Sequence, residues 1–211
     1  MSHKAEHSER VRFLTPEEER KLRGAIRKKY SERLAEFELA LHTGLRVSEQ
    51  YGALWEQVDW QHRILTVPID KGGHTSHLPL NAAALAALSE LCTRAAKTGV
   101  ICGGAAGPRV WFEASLKAAG IADFSWHCLR HTFASRLVMS GADIRTVAEL
   151  LRDRTLAMAM RYAHLAPDYR MEAVQRMQDK FNPEVPSANT KPVNSGTESD
   201  TGGLAGDGYL Q

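Results

Sequence analysis

Between Val58 and Leu80 the apolar residues change period, and that change limits the fold. Ile64, Leu65, Thr66 and Val67 read as a strand running into Pro68. Asp70-Lys71-Gly72-Gly73 is a turn sequence, and Ser76 to Leu80 reads as the return strand. Together they predict an antiparallel hairpin with Lys71 near its tip. Helical signals dominate on both sides of it. The fold class that follows is mainly α with a small antiparallel β-sheet (α+β).

The helix boundaries are written in capping residues. Thr15-Pro16-Glu17-Glu18 combines an N-cap, a proline in the first turn and the glutamate of a capping box, which predicts a helix to about Lys29. A second helix, after Ser31, carries Leu34, Phe37, Leu39, Ala40 and Leu41 toward the core and ends at Gly44. Arg46 opens a short helix through Leu54. Asn81 caps an alanine- and leucine-rich helix to about Lys97, whose stripe of Leu85, Leu88 and Leu91 reads as core. Gly99 to Pro108 is a glycine-rich loop, followed by a short helix around residues 113–119. Helices are then predicted over Trp126–Ser140, Ala142–Leu151, Leu156–His164 and Asp168–Phe181. The last presents Met171, Val174, Met177 and Phe181 on one side, a face that can pack on its own core. The domain reading is a polar leader over residues 1–12, one folded domain over 13–181, and a disordered Pro/Ser/Thr/Asn/Gly-rich tail over 182–211.

Charge and cysteine usage exclude some classes. The 211-residue chain carries a formal charge of only +2. Its tail holds Glu184, Glu198, Asp200 and Asp207 against Lys191, a balance of −3 that leaves +5 on the residues before Asn182. A moderately basic body permits nucleic-acid binding without demanding it. No apolar run approaches the roughly 20 residues a membrane span needs, and the N-terminus has no apolar signal region. Cys92, Cys102 and Cys128 form no C-x-x-C pair, which suggests reduced thiols and a cytoplasmic protein.

Tyr162, Arg46, Lys71, His127 and Arg130 make a kit for attacking a phosphodiester without a metal. Arginines hold the phosphate oxygens, a tyrosine attacks, and a lysine or histidine moves protons. That combination points to cutting and rejoining DNA through a phosphotyrosine link. His127 and His131, four apart on one helix, invite a metal reading. The metalloprotease pattern needs a glutamate after the first histidine, where Cys128 stands, and no third ligand accompanies them. No metal and no cofactor is expected. His164 reads as structural.

The motifs resemble those of the tyrosine recombinase (phage integrase) family over about residues 12–181. Thr43-Gly44-Leu45-Arg46-Val47-Ser48-Glu49 is similar to its first arginine motif, and Leu54-Trp55-Glu56-Gln57-Val58-Asp59 to the segment that follows. Lys71, eight residues before Pro79, sits like the family's hairpin lysine. His127-Cys128-Leu129-Arg130-His131-Thr132-Phe133-Ala134-Ser135 resembles the most diagnostic box, and Arg161-Tyr162-Ala163-His164 the nucleophile box. The resemblance implies site-specific recombination of phage or mobile DNA, on double-stranded DNA, by four protomers on two duplexes. Arg46 and Arg130 would bind the phosphate. His127 would take the proton of Tyr162 or donate to the phosphate, and Lys71 would protonate the departing 5′ oxygen. A free tyrosine has a pKa of about 10, so Tyr162 needs a cationic pocket to react near neutral pH.

Three departures from the pattern matter. Cys128 stands where the family usually has Asp, and Ala159 where many members have Thr. Leu151-Arg152-Asp153 replaces the usual Leu-Gly-His, whose histidine (or tryptophan) donates to the phosphate. An ionised carboxylate cannot donate. At about 4–5 Å from a phosphate charge, with an effective dielectric near 20, its repulsion is on the order of 3–4 kcal/mol, or roughly two to three orders of magnitude in rate. Pairing of Asp153 with Arg152 or Arg154, or an outward rotamer, would relieve it. Members of the family also carry an N-terminal DNA-binding domain, and only about a dozen residues precede the catalytic region here. An excised catalytic domain or a reduced protein, with weaker DNA binding, is the expectation. The competing readings are a catalytically impaired DNA-binding relative and a relaxing type IB topoisomerase.

Overall fold

The structure, a computed structural model, describes residues 11–68, 75–94, 99–103, 107–166 and 170–181. Lys71 and the turn of the hairpin, the leader up to residue 10 and the acidic tail lie outside the described residues. The chain divides into a unit ending at Pro167 and a second from Asp168 onward.

In the first unit, α1 (Pro16–Lys29) begins as its sequence dictates. The Thr15 hydroxyl accepts from the Glu18 backbone N–H, and the Glu18 carboxylate accepts from the Thr15 N–H at 3.0 Å. Arg12 adds an ion pair to Glu18, and Val11 packs against the cluster that also holds Tyr162, so both residues belong to the folded body. After a 3-10 turn, α2 (Leu34–Thr43) ends at Gly44 in the left-handed region, φ 59°. Then follow α3 (Val47–Gly52) and a sheet of β1 (Val58–Asp59), β2 (Ile64–Pro68) and β3 (Thr75–Pro79), antiparallel in the order β1-β2-β3. The hairpin register pairs Leu65 with Leu78 and Val67 with Ser76. Leu65, Val67 and Leu78 face the core while their neighbours alternate outward. The two-residue β1 has no period to read and was not legible in the sequence.

Asn81 Oδ1 accepts from the Ala84 N–H at the start of α4 (Ala82–Arg94), as expected. The glycine-rich segment is pinned where it is described. Val100 bridges to Leu54, and Ile101 and Cys102 are buried. The helix after it, α5 (Arg109–Ala119), starts earlier than its apolar pattern suggests. Next come α6 (His127–Met139), α7 (Ile144–Leu151) and α8 (Leu156–Met160).

Three apolar clusters hold the unit together. The sheet packs with α2 and α4 around Leu39, Leu65, Leu78 and Leu88. Helices α1, α2 and α5 meet around Phe37, Phe112 and Trp126, with the Phe112 and Trp126 rings edge-to-face at 4.9 Å. Helices α6 and α7 close on Ala134, Val138, Val147, Leu151 and the ring of Tyr162. α6 therefore serves two clusters and one site, which explains its mixed polarity all round. In the second unit, α9 (Arg170–Phe181) exposes Val174, Met177 and Phe181. No described helix is long and apolar enough to cross a membrane.

Candidate active site

Gly44 sets the position of the first arginine. A Cβ there would lie 2.5 Å from Cδ1 of Phe133, and φ is positive, so only glycine fits without strain. The turn it permits leads straight into Arg46, whose backbone N–H donates to Glu49 Oε2 at 2.8 Å while Nη1 donates to Oε1 at 2.7 Å. The same turn leaves the Gly44 carbonyl free to accept from Arg130 Nη1 at 2.8 Å. A second carbonyl, of Leu151, takes Arg130 Nη2. Arg130 is buried, and two backbone oxygens fix its plane.

Tyr162 lies beyond the helix predicted to carry it. α8 stops at Met160, and Tyr162 occupies the turn before a 3-10 segment, held by its N–H to the Ala159 carbonyl at 3.0 Å. The turn buries the ring among Ala134, Val138 and Leu151 and points the hydroxyl back at α6, where it meets His131 Nδ1 at 2.6 Å.

Arg46, His127, Arg130, Asp153 and Tyr162 line one hollow of about 90 Å³, together with His131, Met158 and Arg161. Five of the six residues singled out in the sequence thus converge, from α3, α6, the end of α7 and the turn after α8. An adjoining cleft of about 390 Å³ runs along Ser48, Pro68, Arg152 and Arg154, sharing Arg46.

Asp153 is where expectation and structure part. It does not pair with Arg152 or Arg154, and it does not turn outward. Its Oδ1 lies 2.9 Å from Arg130 Nη2 and 3.4 Å from Arg46 Nη2. The cause is the end of α7. Arg152 sits in the left-handed region at φ 56°, and the Asp153 N–H reaches back to the Ala148 carbonyl at 3.0 Å. This closing turn, normally built on glycine, aims residue 153 into the hollow. A non-glycine residue there costs about 1–2 kcal/mol. The Arg152 guanidinium is held there by an ion pair to Glu49 Oε2 at 2.9 Å and a hydrogen bond to the Leu150 carbonyl at 2.7 Å, contacts that oppose that strain.

Residues 12–168 match the family described as the phage integrase family. The chain belongs to that family. The integrase of Salmonella phage P22 is 30% identical over 210 residues, covering 91% of this chain and 54% of that protein. The shufflon-specific DNA recombinase of Escherichia coli is 31% identical over 159 residues, covering 75% and 41%. The chain spans about half the length of these curated relatives. The solved catalytic domain of bacteriophage HP1 integrase superposes with a TM-score of 0.66 at 28% identity, covering 82% of this chain and 96% of that one.

In this integrase-family hollow the titrating groups are shifted by burial first. The Tyr162 phenol is pushed up from its ordinary value. Arg161 and Arg130 pull it down, but desolvation wins and Asp153 adds to it. The cationic residues expected to activate the phenol are therefore present, and burial of the ring outweighs their pull. Burial also lowers the His127 and His131 imidazoles, the latter to about 4, with His127, Arg161 and Arg130 reinforcing the effect on His131. In both rings the charged form is disfavoured, most strongly in His131. They stand edge-to-face, 4.8 Å between centroids. Among the described residues no group of three or more His, Cys, Asp and Glu side chains is placed to hold a metal ion.

His131 was legible as the i+4 partner of His127 and as a member of the diagnostic box, without a role, and Arg161 only as part of the nucleophile motif. Nothing in the sequence signalled the bond from His131 to Tyr162, because it joins residues 31 apart through the turn after α8.

Proposed function

We propose that this chain carries the catalytic part of a site-specific DNA recombinase, within the domain of residues 13–181, that integrates or excises phage or mobile DNA in the cytoplasm. The observation that carries the reading is the convergence of Arg46, Arg130, His127 and the Tyr162 hydroxyl on one hollow of about 90 Å³. The names of the relatives, an integrase and a DNA recombinase, support the reaction class.

The substrate is a phosphodiester of duplex DNA. Arg46 and Arg130 bind its two non-bridging oxygens, and each donor contributes about 2.7–4 kcal/mol as charge builds there. The Tyr162 oxygen attacks phosphorus in line, and the 5′ oxygen leaves and takes a proton, for which Lys71 and His127 are the candidates. The 3′-phosphotyrosine ester keeps the bond energy, so a 5′ hydroxyl can reverse the step on the same or an exchanged strand. Exchange needs two duplexes and four protomers.

Asp153 makes entry competitive. Its carboxylate already occupies the guanidinium pair, so the phosphate must displace a tethered anion, using contacts made elsewhere on the duplex. That same pairing favours a second reading, a DNA-binding relative with impaired cleavage. Incubation with a nicked suicide duplex separates the two. A covalent adduct formed by wild type and not by Y162F supports the recombinase, whereas DNA binding without any adduct supports the impaired relative.

A further inference from the structure

We propose that His131 is a catalytic residue, the proton acceptor for the Tyr162 phenol. The inference rests on the reading of Tyr162 as nucleophile and goes beyond it, since neither motif nor spacing gives His131 a role.

The geometry separates the two histidines of α6. His131 Nδ1 lies 2.6 Å from the phenolic oxygen, within the reach a general base needs. The centroids of the two rings are 5.8 Å apart and inclined at 50°. His127 lines the same hollow and has no hydrogen bond to the phenol among the described contacts. It is left for the phosphate or the leaving oxygen. The imidazole of His131 is half-buried, and its low pKa keeps it unprotonated at neutral pH, free to accept. The phenol is buried and protonated, so it has a proton to give.

The charges facing His131 explain why the transfer waits for substrate. On α6 these are His127 and Arg130, on the turn after α8 Arg161, and at the end of α7 Asp153. With DNA absent, burial first and the neighbouring arginines after it hold the imidazole a weak base. A phosphate in the hollow adds negative charge beside it and raises its proton affinity as the attack proceeds. The O–H bond of Tyr162 breaks as the O–P bond forms, and the proton moves to Nδ1. The P–O5′ bond breaks, and the 5′ oxygen takes its proton from a separate donor, for which the Lys71 ammonium is the candidate. In rejoining, the phenolate leaves and recovers the proton from Nδ1, so His131 returns to its starting form.

The test is single-turnover cleavage of a suicide duplex by the full chain, comparing wild type, H131N and H131Q. Asn places an amide oxygen near the Nδ1 position, so it can still accept the phenolic hydrogen bond but cannot hold a proton. Gln covers the case in which H131N does not fold. Each duplex is made in two forms, with oxygen or with sulfur as the bridging 5′ atom, because a thiolate leaves without a proton. The expected result is a loss of roughly 10²–10⁴-fold in cleavage rate on both forms, the range of general base catalysis. DNA affinity should be unchanged, and the rise of rate with pH expected of wild type should be absent. A rate within about threefold of wild type would overturn the proposal, since a hydrogen bond alone would then suffice. Restoration by the sulfur substrate would also overturn it, by assigning His131 to the leaving group. No adduct from wild type on either form would remove the nucleophile itself, and this proposal with it.

Discussion

The Asp153 carboxylate and the Arg130 guanidinium form a nearly buried ion pair, with 2.9 Å between Oδ1 and Nη2 and side-chain exposures of 7% and 4%. Arg46 approaches the same oxygen at 3.4 Å. The carboxylate thus occupies the space between the two guanidiniums that the proposed reaction gives to a phosphate oxygen. D153N removes the charge that faces both guanidiniums, while the Gly44 and Leu151 carbonyls still hold Arg130 and Glu49 still holds Arg46. Suicide-substrate cleavage should rise about 10- to 100-fold, a gain on the order of 1.4–2.7 kcal/mol. The free protein should become less stable, because a buried cation loses its partner. A single-turnover assay and a thermal melt, each with and without a short duplex, measure both effects. Cleavage no faster than wild type would show that the pair does not hinder phosphate entry.

Glu49 joins Arg46 to the buried Arg152. E49Q keeps the shape and removes the charge that both arginines share. Breaking a buried pair in this way costs about 3–5 kcal/mol, so the denaturant midpoint should fall clearly. R152G is expected to lose less, because glycine relieves the left-handed backbone at that position. Chemical denaturation of both variants ranks them, and a larger loss for R152G than for E49Q contradicts this ordering.

Gly44 is fixed twice, by its positive φ and by Phe133 against its α-carbon. G44A adds about 1–2 kcal/mol of backbone strain and about 1–3 kcal/mol of overpacking. Because its carbonyl holds Arg130, cleavage should drop along with stability. Wild-type stability in G44A would contradict the packing argument.

Acid should weaken the fold through His131. Its folded pKa of about 4 lies below the ordinary 6.5, so between those values the unfolded chain binds more protons than the folded one. Stability is therefore full above about pH 6.5 and falls as pH drops toward 4. The loss is on the order of 1–2 kcal/mol once solvent screening of the half-buried ring is discounted. Glu18, held at about 2 by its hydrogen bond from Arg12, acts in the same direction at lower pH, losing its contribution as pH falls from about 4.5 toward 2. Urea titrations at pH 7 and pH 5 check the histidine contribution, and H131N should flatten the difference.

What the sequence disclosed was local. The cap at Thr15, the stop at Gly44, the cap at Asn81 and the start of α6 at His127 depend on neighbours a few residues away, and each was readable. The convergence of Arg46, Arg130 and Tyr162 was legible only as a family pattern, since nothing local joins residues so far apart. The direction of Asp153 was not legible at all. It depends on Arg152 adopting a left-handed turn that sequence rules reserve for glycine, and on the Glu49 carboxylate 103 residues upstream that compensates it. The position of Tyr162 beyond the end of α8 has the same origin, because its ring is drawn into the cluster between α6 and α7.

The most direct measurement is to trap the covalent complex on a suicide duplex, digest it, and locate the nucleotide by tandem mass spectrometry. A 3′-phosphate ester on Tyr162, lost in R130A and strengthened in D153N, is the predicted result. A nucleotide linked to any other side chain, or an adduct that survives Y162F, would contradict the account.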